Sequence, residues 1–328
     1  MRKRLLFLAA TLWAVSSQAA NPTVTVVFNG TTATVTIPAD LTSYVSCSSG
    51  TSSHVKLLQA ESVTDNKPGE ITYVLSGSSS DGEFYMEGSY KATIRLNGLT
   101  LTNPAGPAVN IQDGKRIKLN LPEGKTNTLT DGVNEDYNGC FHCKGHTEIT
   151  GKGTLNIVGN SKHGLYSKEY FSIKNATVNI TAAEKDGIHC KEYFYMESGK
   201  INISGAKDDG IQVEIDDKSA TTGITTDHED ENTGNFYMTG GTLTIASYGG
   251  KAIKADGKID LSAGTRNFDT NDIEENAAAG IISLPTDEHP GEIIIYDLQG
   301  HQMPNAATLP KGVYLLRQGK KTRKVLIR

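Results

Sequence analysis

The sequence predicts an all-β protein built on a parallel β-helix, a solenoid of three short strands per roughly 23-residue coil. An N-terminal β cap and a small C-terminal β module complete it. Three observations predict this. Similar segments recur at a nearly constant period, and each period holds three stretches of apolar/polar alternation. The composition, 34 Gly in 328 residues with aromatics at 7%, suits tight turns and short strands. A helical bundle is disfavoured by the Gly, Thr, Ser, Ile and Val content, and collagen is excluded by the lack of a three-residue glycine period.

Taken in order, Met1–Arg4 is basic, Leu5–Val15 is apolar, and Ser17-Gln18-Ala19 puts small residues at the −3 and −1 positions. Residues 1–19 therefore read as a secretory signal peptide, with an apolar run too short to span a bilayer. No later stretch approaches transmembrane length, so a soluble, monomeric protein, secreted or on the outer cell surface, is expected. Residues 20–95 hold the cap and first strands. Val24/Val26 and Ala33/Val35/Ile37 alternate, and a solenoid needs its open end covered. Ile94-Arg95-Leu96, Leu99-Thr100-Leu101 and Val109-Asn110-Ile111 look like early, less regular coils.

The β-helix proper is expected over 96–284. Phe141-His142-Cys143-Lys144, Leu165-Tyr166-Ser167-Lys168 and Ile188-His189-Cys190-Lys191 begin one aligned series. Ile211-Gln212-Val213-Glu214 and Ile253-Lys254-Ala255-Asp256 continue it, with steps of 24, 23, 23 and 42. A second segment follows in each coil (Phe171/Ile173, Phe194/Met196, Phe236/Met238), then a third (Leu155/Ile157, Val178/Ile180, Ile201/Ile203, Leu243/Ile245). The long step equals a normal coil plus 19 residues inserted between Val213 and Phe236. Gly164, Gly187 and Gly210 precede the first strand, where a corner would call for an unusual backbone angle.

Cys143, Ser167, Cys190 and Ala255 fall in one inward column, so Cys143 and Cys190 read as core residues. A coil lies between them at about 4.7–4.9 Å per step, too far for a disulfide. Cys140-x-x-Cys143 around His142 lacks the second ligand pair of a structural zinc site.

Without Arg2, Lys3 and Arg4 the net charge passes from −5 to −8, and residues 311–328 carry seven basic residues and no acid. The body between is thus near −15, which argues against nucleic acid as a partner.

The motifs Leu96-Asn97-Gly98-Leu99-Thr100-Leu101-Thr102-Asn103, Gly106-Pro107-Ala108-Val109 and Asn127-Thr128-Leu129-Thr130-Asp131-Gly132 open a recognisable pattern. With His163-Gly164-Leu165-Tyr166-Ser167-Lys168 and Asp186-Gly187-Ile188-His189-Cys190-Lys191, it resembles a bacterial carbohydrate-binding β-helix family over roughly 23–265. The resemblance implies a right-handed parallel β-helix like that of pectate lyases, bound Ca²⁺, and binding of cellulose or acidic polysaccharide without established cleavage. The acidic insertion and Cys190 depart from the family pattern. Glu292–Gly300 and Leu309–Tyr314 resemble a sorting domain of type IX secretion, which implies the secretion machinery as a partner. Pro285–Pro290 reads as the linker, giving a final region of 285–328.

The alignment turns sequence columns into surface ladders. Lys144, Lys168 and Lys191 share one column, and stacked ammonium groups at strand spacing suit a polyanion such as polygalacturonate. Alternatively they solvate an edge or pair with Glu169 and Glu192. His142, Tyr166 and His189 should point outward beside them. Tyr170, Tyr193, Tyr195 and Tyr237 form an outward aromatic ladder, either a platform for sugar rings or a device that steadies the sheet. Asn156, Asn179, Asn202 and Thr244 form a third ladder. Asp186, Asp208 and Asp209 with Glu214, Asp216 and Asp217 are candidate Ca²⁺ ligands, a hard cation taking six to eight oxygens; a solvated acidic loop is the alternative.

A non-catalytic carbohydrate-binding surface protein is the function expected. A Ca²⁺-dependent polysaccharide lyase, with Lys168 or Lys191 as base, and a purely structural solenoid are the alternatives.

Overall fold

A computed structural model describes residues 21–216, 231–275, 293–297, 302–303, 312–318 and 321–327. The chain divides into two compact units, Met1–Ile281 and Ile282–Arg328. The signal-peptide residues, Asp217 and the Pro285–Pro290 linker lie outside the described residues.

The first unit is a parallel β-helix, and its registers reproduce the repeat. Phe141 pairs with Leu165, Leu165 with Ile188, Ile188 with Ile211 and Ile211 with Ile253. These strands include Gly139–Cys143, His163–Ser167 and Ile188–Lys191 and form what we call the His–Tyr stack. Thr147–Gly151, Phe171–Lys174, Tyr193–Met196 and Asn235–Met238 form the Phe stack. Thr154–Val158, Thr177–Ala182, Lys200–Ile203 and Thr242–Ile245 form the Asn stack.

Three separate sheets do not result. Ala92–Asn103 is one strand of 12 residues that passes a corner at Gly98, where φ is +76°. It pairs with Ile117–Leu121 through its first half and with Thr126–Asp131 through its second. The Phe and Asn stacks therefore join in one 16-stranded sheet, and the His–Tyr stack belongs to a ten-stranded one.

At the N-terminal end, Thr23–Asn29 adds parallel to Ile71–Ser79 and antiparallel to Thr32–Thr36, covering the sheet there. Parallel stacking on the other sheet begins with His54–Gln59 on Glu83–Glu87.

Inside, Phe171, Phe194 and Phe236 stack at 5.2 and 4.6 Å with nearly parallel rings. The core is one-dimensional: each coil adds one side chain to each column, at the spacing the sheet imposes. Cys143, Ser167, Cys190, Val213 and Ala255 form another column, and all four cysteines of the chain are free thiols.

The corner glycines need a different explanation from the one expected. Gly164, Gly187 and Gly210 are absent from the positive-φ positions. What excludes a side chain is the next coil. A Cβ on Gly187 would lie 2.7 Å from the Gly210 carbonyl oxygen and 2.9 Å from Ile203.

The second unit has an antiparallel sheet of four described strands, Ile293–Tyr296, Gln302–Met303, Gly312–Gln318 and Lys321–Ile327.

Candidate functional site

The outward column of the His–Tyr stack is closed, not open. His142, Tyr166 and His189 do share it, yet they are only 5%, 7% and 7% exposed. Their rings stack on one another at 5.2 and 5.6 Å, so each covers the face of the next. Burial, with the Lys144 and Lys162 charges nearby, pushes His142 down to about 4.

Asp186 anchors the adjoining network. Its Oδ2 lies 2.9 Å from His189 Nδ1 and 3.1 Å from His163 Nδ1, and its Oδ1 accepts the Asp209 amide at 3.0 Å. Burial opposes its charge, but the hydrogen bonds from the two imidazoles outweigh it and hold the carboxyl well below the usual range. Burial likewise disfavours a charged His189, and here the bonds to Asp186 and Glu214 win, raising it to about 9.

The metal candidates thus separate into two groups. Asp186, Asp208 and Asp209 do come together, each offering an oxygen within 4.8 Å of the others. Asp208 and Asp209 also face Gly250, where a Cβ would meet their oxygens at 2.8 and 2.3 Å. Asp186 is already engaged by two imidazoles and an amide, and Asp209 accepts the Lys251 amide through Oδ1 and lies 3.8 Å from Lys254 Nζ through Oδ2, so of the three Asp208 is the least committed carboxylate. Glu214 lies elsewhere, 3.4 Å from His189 Nε2. It and Asp216 also approach Lys191 Nζ, at 3.8 and 3.9 Å.

The lysine ladder is consequently uneven. Lys191 is neutralised by those two acids, whereas Lys144 and Lys168 form no ion pair among the described residues. Glu169 and Glu192 do not turn to the lysines. They face His146, with Oε2 to Nε2 distances of 2.9 and 3.5 Å. The sequence reading overlooked His146, which fills the position of Tyr170 and Tyr193 one and two coils earlier. The register column held the signal, hidden because histidine replaces tyrosine there.

The tyrosine ladder differs in the same way from an open platform. Tyr170 and Tyr193 are 4% and 5% exposed and stack on each other at 4.8 Å, with His146 covering the far face of Tyr170 at 4.2 Å. Their faces meet each other along the helix axis, leaving only edges toward solvent. Tyr195 and Tyr237 are more open, and the Tyr237 hydroxyl donates to Glu231. Over this face lies a shallow groove of about 290 Å³ in which Tyr170, Tyr193 and Tyr195 meet Glu148, Ser172 and Lys174. The Asn column is self-satisfied: Asn202 donates to Asn179, and Asn179 to Asn156.

Over residues 59–295 the sequence matches the family described as carbohydrate-binding domain-containing protein, and the chain belongs to it. A relative of that description from Acetivibrio thermocellus is 28% identical over 109 residues, 30% of this chain and 37% of the relative. The aligned stretch thus spans little more than a third of that relative's length. The solved structure of the polysaccharide lyase-like protein from C. thermocellum, a gadolinium derivative, is similar with a TM-score of 0.54 at 22% identity. It covers 78% of this chain and 100% of that one. That likeness concerns the fold.

Proposed function

We propose that, as a member of this family, the protein binds a polysaccharide chain without cleaving it, on the outer face of the Phe stack and the adjoining corner. The observation that carries the proposal is the groove, where tyrosine edges and hydroxyls lie among Glu148, Ser172 and Lys174 on a flat, regularly repeating sheet. Such a surface offers hydrogen bonds to many sugar hydroxyls along an extended polymer. Lys144 and Lys168, which form no ion pair among the described residues, favour an acidic glycan such as polygalacturonate over cellulose. Ca²⁺ bound at Asp208 would add a bridge to uronate carboxylates.

The binding-only reading is supported by the pairing of one of the two candidate bases. A lyase needs a free base near the sugar C5 proton. Lys191 is held between Glu214 and Asp216, whereas Lys168 forms no ion pair among the described residues and is the base that the product assay tests. Export, by residues 1–19 and then through the C-terminal segment, belongs to the same proposal; fractionating cells that express the full chain or one lacking 293–328 tests it.

Retention on immobilised polygalacturonate and on cellulose, with and without Ca²⁺, tests the binding. Absorbance of unsaturated products is followed in the same samples. Retention without products is expected. Product formation overturns the non-catalytic reading, and retention on neither polymer overturns the glycan class.

A further inference from the structure

We propose that His146, Glu169 and Glu192 bind one divalent transition-metal ion, of the Zn²⁺ or Mn²⁺ type, at the corner between the His–Tyr and Phe stacks. Three successive coils each supply one ligand, all just ahead of a Phe-stack strand. The Nε2 of His146 lies 2.9 Å from Glu169 Oε2 and 3.5 Å from Glu192 Oε2, and the three groups' ligand atoms all fall within 4.8 Å of one another. Ligands held at about 2.0–2.2 Å from an ion stand roughly 2.9–3.5 Å apart in octahedral or tetrahedral sites. The two separations from the imidazole fall in that range, so an ion can be seated among the three groups with little movement.

Hydrogen-bond accounting points the same way. Both Oε2 atoms are closed to solvent, and His146 Nε2 is the one donor among the described residues within reach of either, without the alignment of a full hydrogen bond. One imidazole nitrogen carries at most one hydrogen, so His146 Nε2 cannot serve two carboxylates. A sheltered carboxylate oxygen without a full hydrogen bond is costly, and an ion bonded to all three atoms removes that cost.

No lysine or arginine among the described residues pairs with Glu169 or Glu192. Arg116 pairs with Glu70 and Glu148, Lys191 with Glu214 and Asp216, and the ion pairs formed by Glu169 and Glu192 among the described residues are with His146 alone. The His146 ring is fixed by its stack on Tyr170 at 4.2 Å. Glu192 holds a φ of +63°, a strained backbone for a residue with a side chain. One imidazole with two carboxylates favours a borderline ion over Ca²⁺, which takes an all-oxygen shell. The three side chains are 18–22% exposed, so a small ion can enter and keep a further position for water or a sugar hydroxyl.

Calorimetric titration of the chelator-treated protein with ZnCl₂, MnCl₂ and CaCl₂ tests this. Uptake of Zn²⁺ or Mn²⁺ at one site is expected, weakened at least tenfold in Glu169→Gln/Glu192→Gln and in His146→Ala. His163→Gln, which removes a ligand atom from the neighbouring His163, Asp186 and His189 group, should leave it unchanged. A Zn²⁺-dependent rise in the melting temperature of the wild type, absent in His146→Gln, gives a second readout if the double variant does not fold. No uptake by the wild type, uptake that survives the Glu169 and Glu192 changes, loss in His163→Gln, or tight binding of Ca²⁺ alone would overturn the proposal.

Discussion

Asp186 Oδ2 and His189 Nδ1 meet at 2.9 Å inside the wall of the solenoid, with Asp186 only 1% exposed. The pair joins one coil to the next, because the other Asp186 oxygen accepts the amide of Asp209. Breaking a buried ion pair from one side leaves an uncompensated charge, at a cost of about 3–5 kcal/mol. Asp186→Asn should therefore lower the melting temperature by several degrees, measured by circular dichroism. An unchanged melting temperature would mean the network contributes no net stability.

The same pair makes stability depend on pH. His189 is raised from 6.5 to about 9, so its contribution is complete below pH 6.5 and is lost as pH rises through about 9. Asp186 is depressed from 3.8, so its contribution is complete above that value and is lost at lower pH. His142, pushed down to about 4, acts oppositely on the acid side and loses stability as pH falls from 6.5. The melting-temperature difference between wild type and His189→Gln isolates the first effect. It should be largest near pH 5–6 and shrink toward pH 9, with a ceiling of about 3 kcal/mol. A difference independent of pH would contradict the assignment.

Gly187→Ala should destabilise by about 1–3 kcal/mol through overpacking. Its new methyl would meet the Gly210 carbonyl at 2.7 Å and two Ile203 carbons at 2.9 Å. Denaturant titration reads the loss directly. An Ala at Gly114, where nothing lies within 4 Å of a Cβ, serves as the mild comparison.

Lys144→Glu with Lys168→Glu should weaken retention on polygalacturonate and flatten its salt dependence, with cellulose retention unchanged. Lys191→Glu should have the smaller effect on retention, because Glu214 and Asp216 already neutralise Lys191. Equal losses for the three positions would return the site to the whole ladder.

Much of the architecture is legible in the sequence because a solenoid writes its contacts at a fixed offset. Phe171, Phe194 and Phe236 can be aligned without coordinates, and the structure stacks them within 5.2 Å. The 19-residue insertion leaves the register intact, as Cys190 pairing with Val213 and Met196 with Met238 demonstrates. The motif residues read as a family pattern also have local duties. Asn127 accepts the amides of Gly98 and Leu99, and Asn103 donates to the Pro107 carbonyl.

By itself, the sequence determined the coil period, the inward columns and which side chains leave each strand outward. Only the tertiary structure decided which outward residues reach solvent. His142, Tyr166 and Tyr193 alternate correctly, yet aromatic rings repeated at strand spacing close each other's faces. The tertiary structure also chose the partners of the charges, turning Glu169 and Glu192 to His146 instead of the lysines. Alternation is a property of one strand, whereas exposure and pairing depend on side chains arriving from adjacent coils and corners. The local pattern carries no record of their reach or direction.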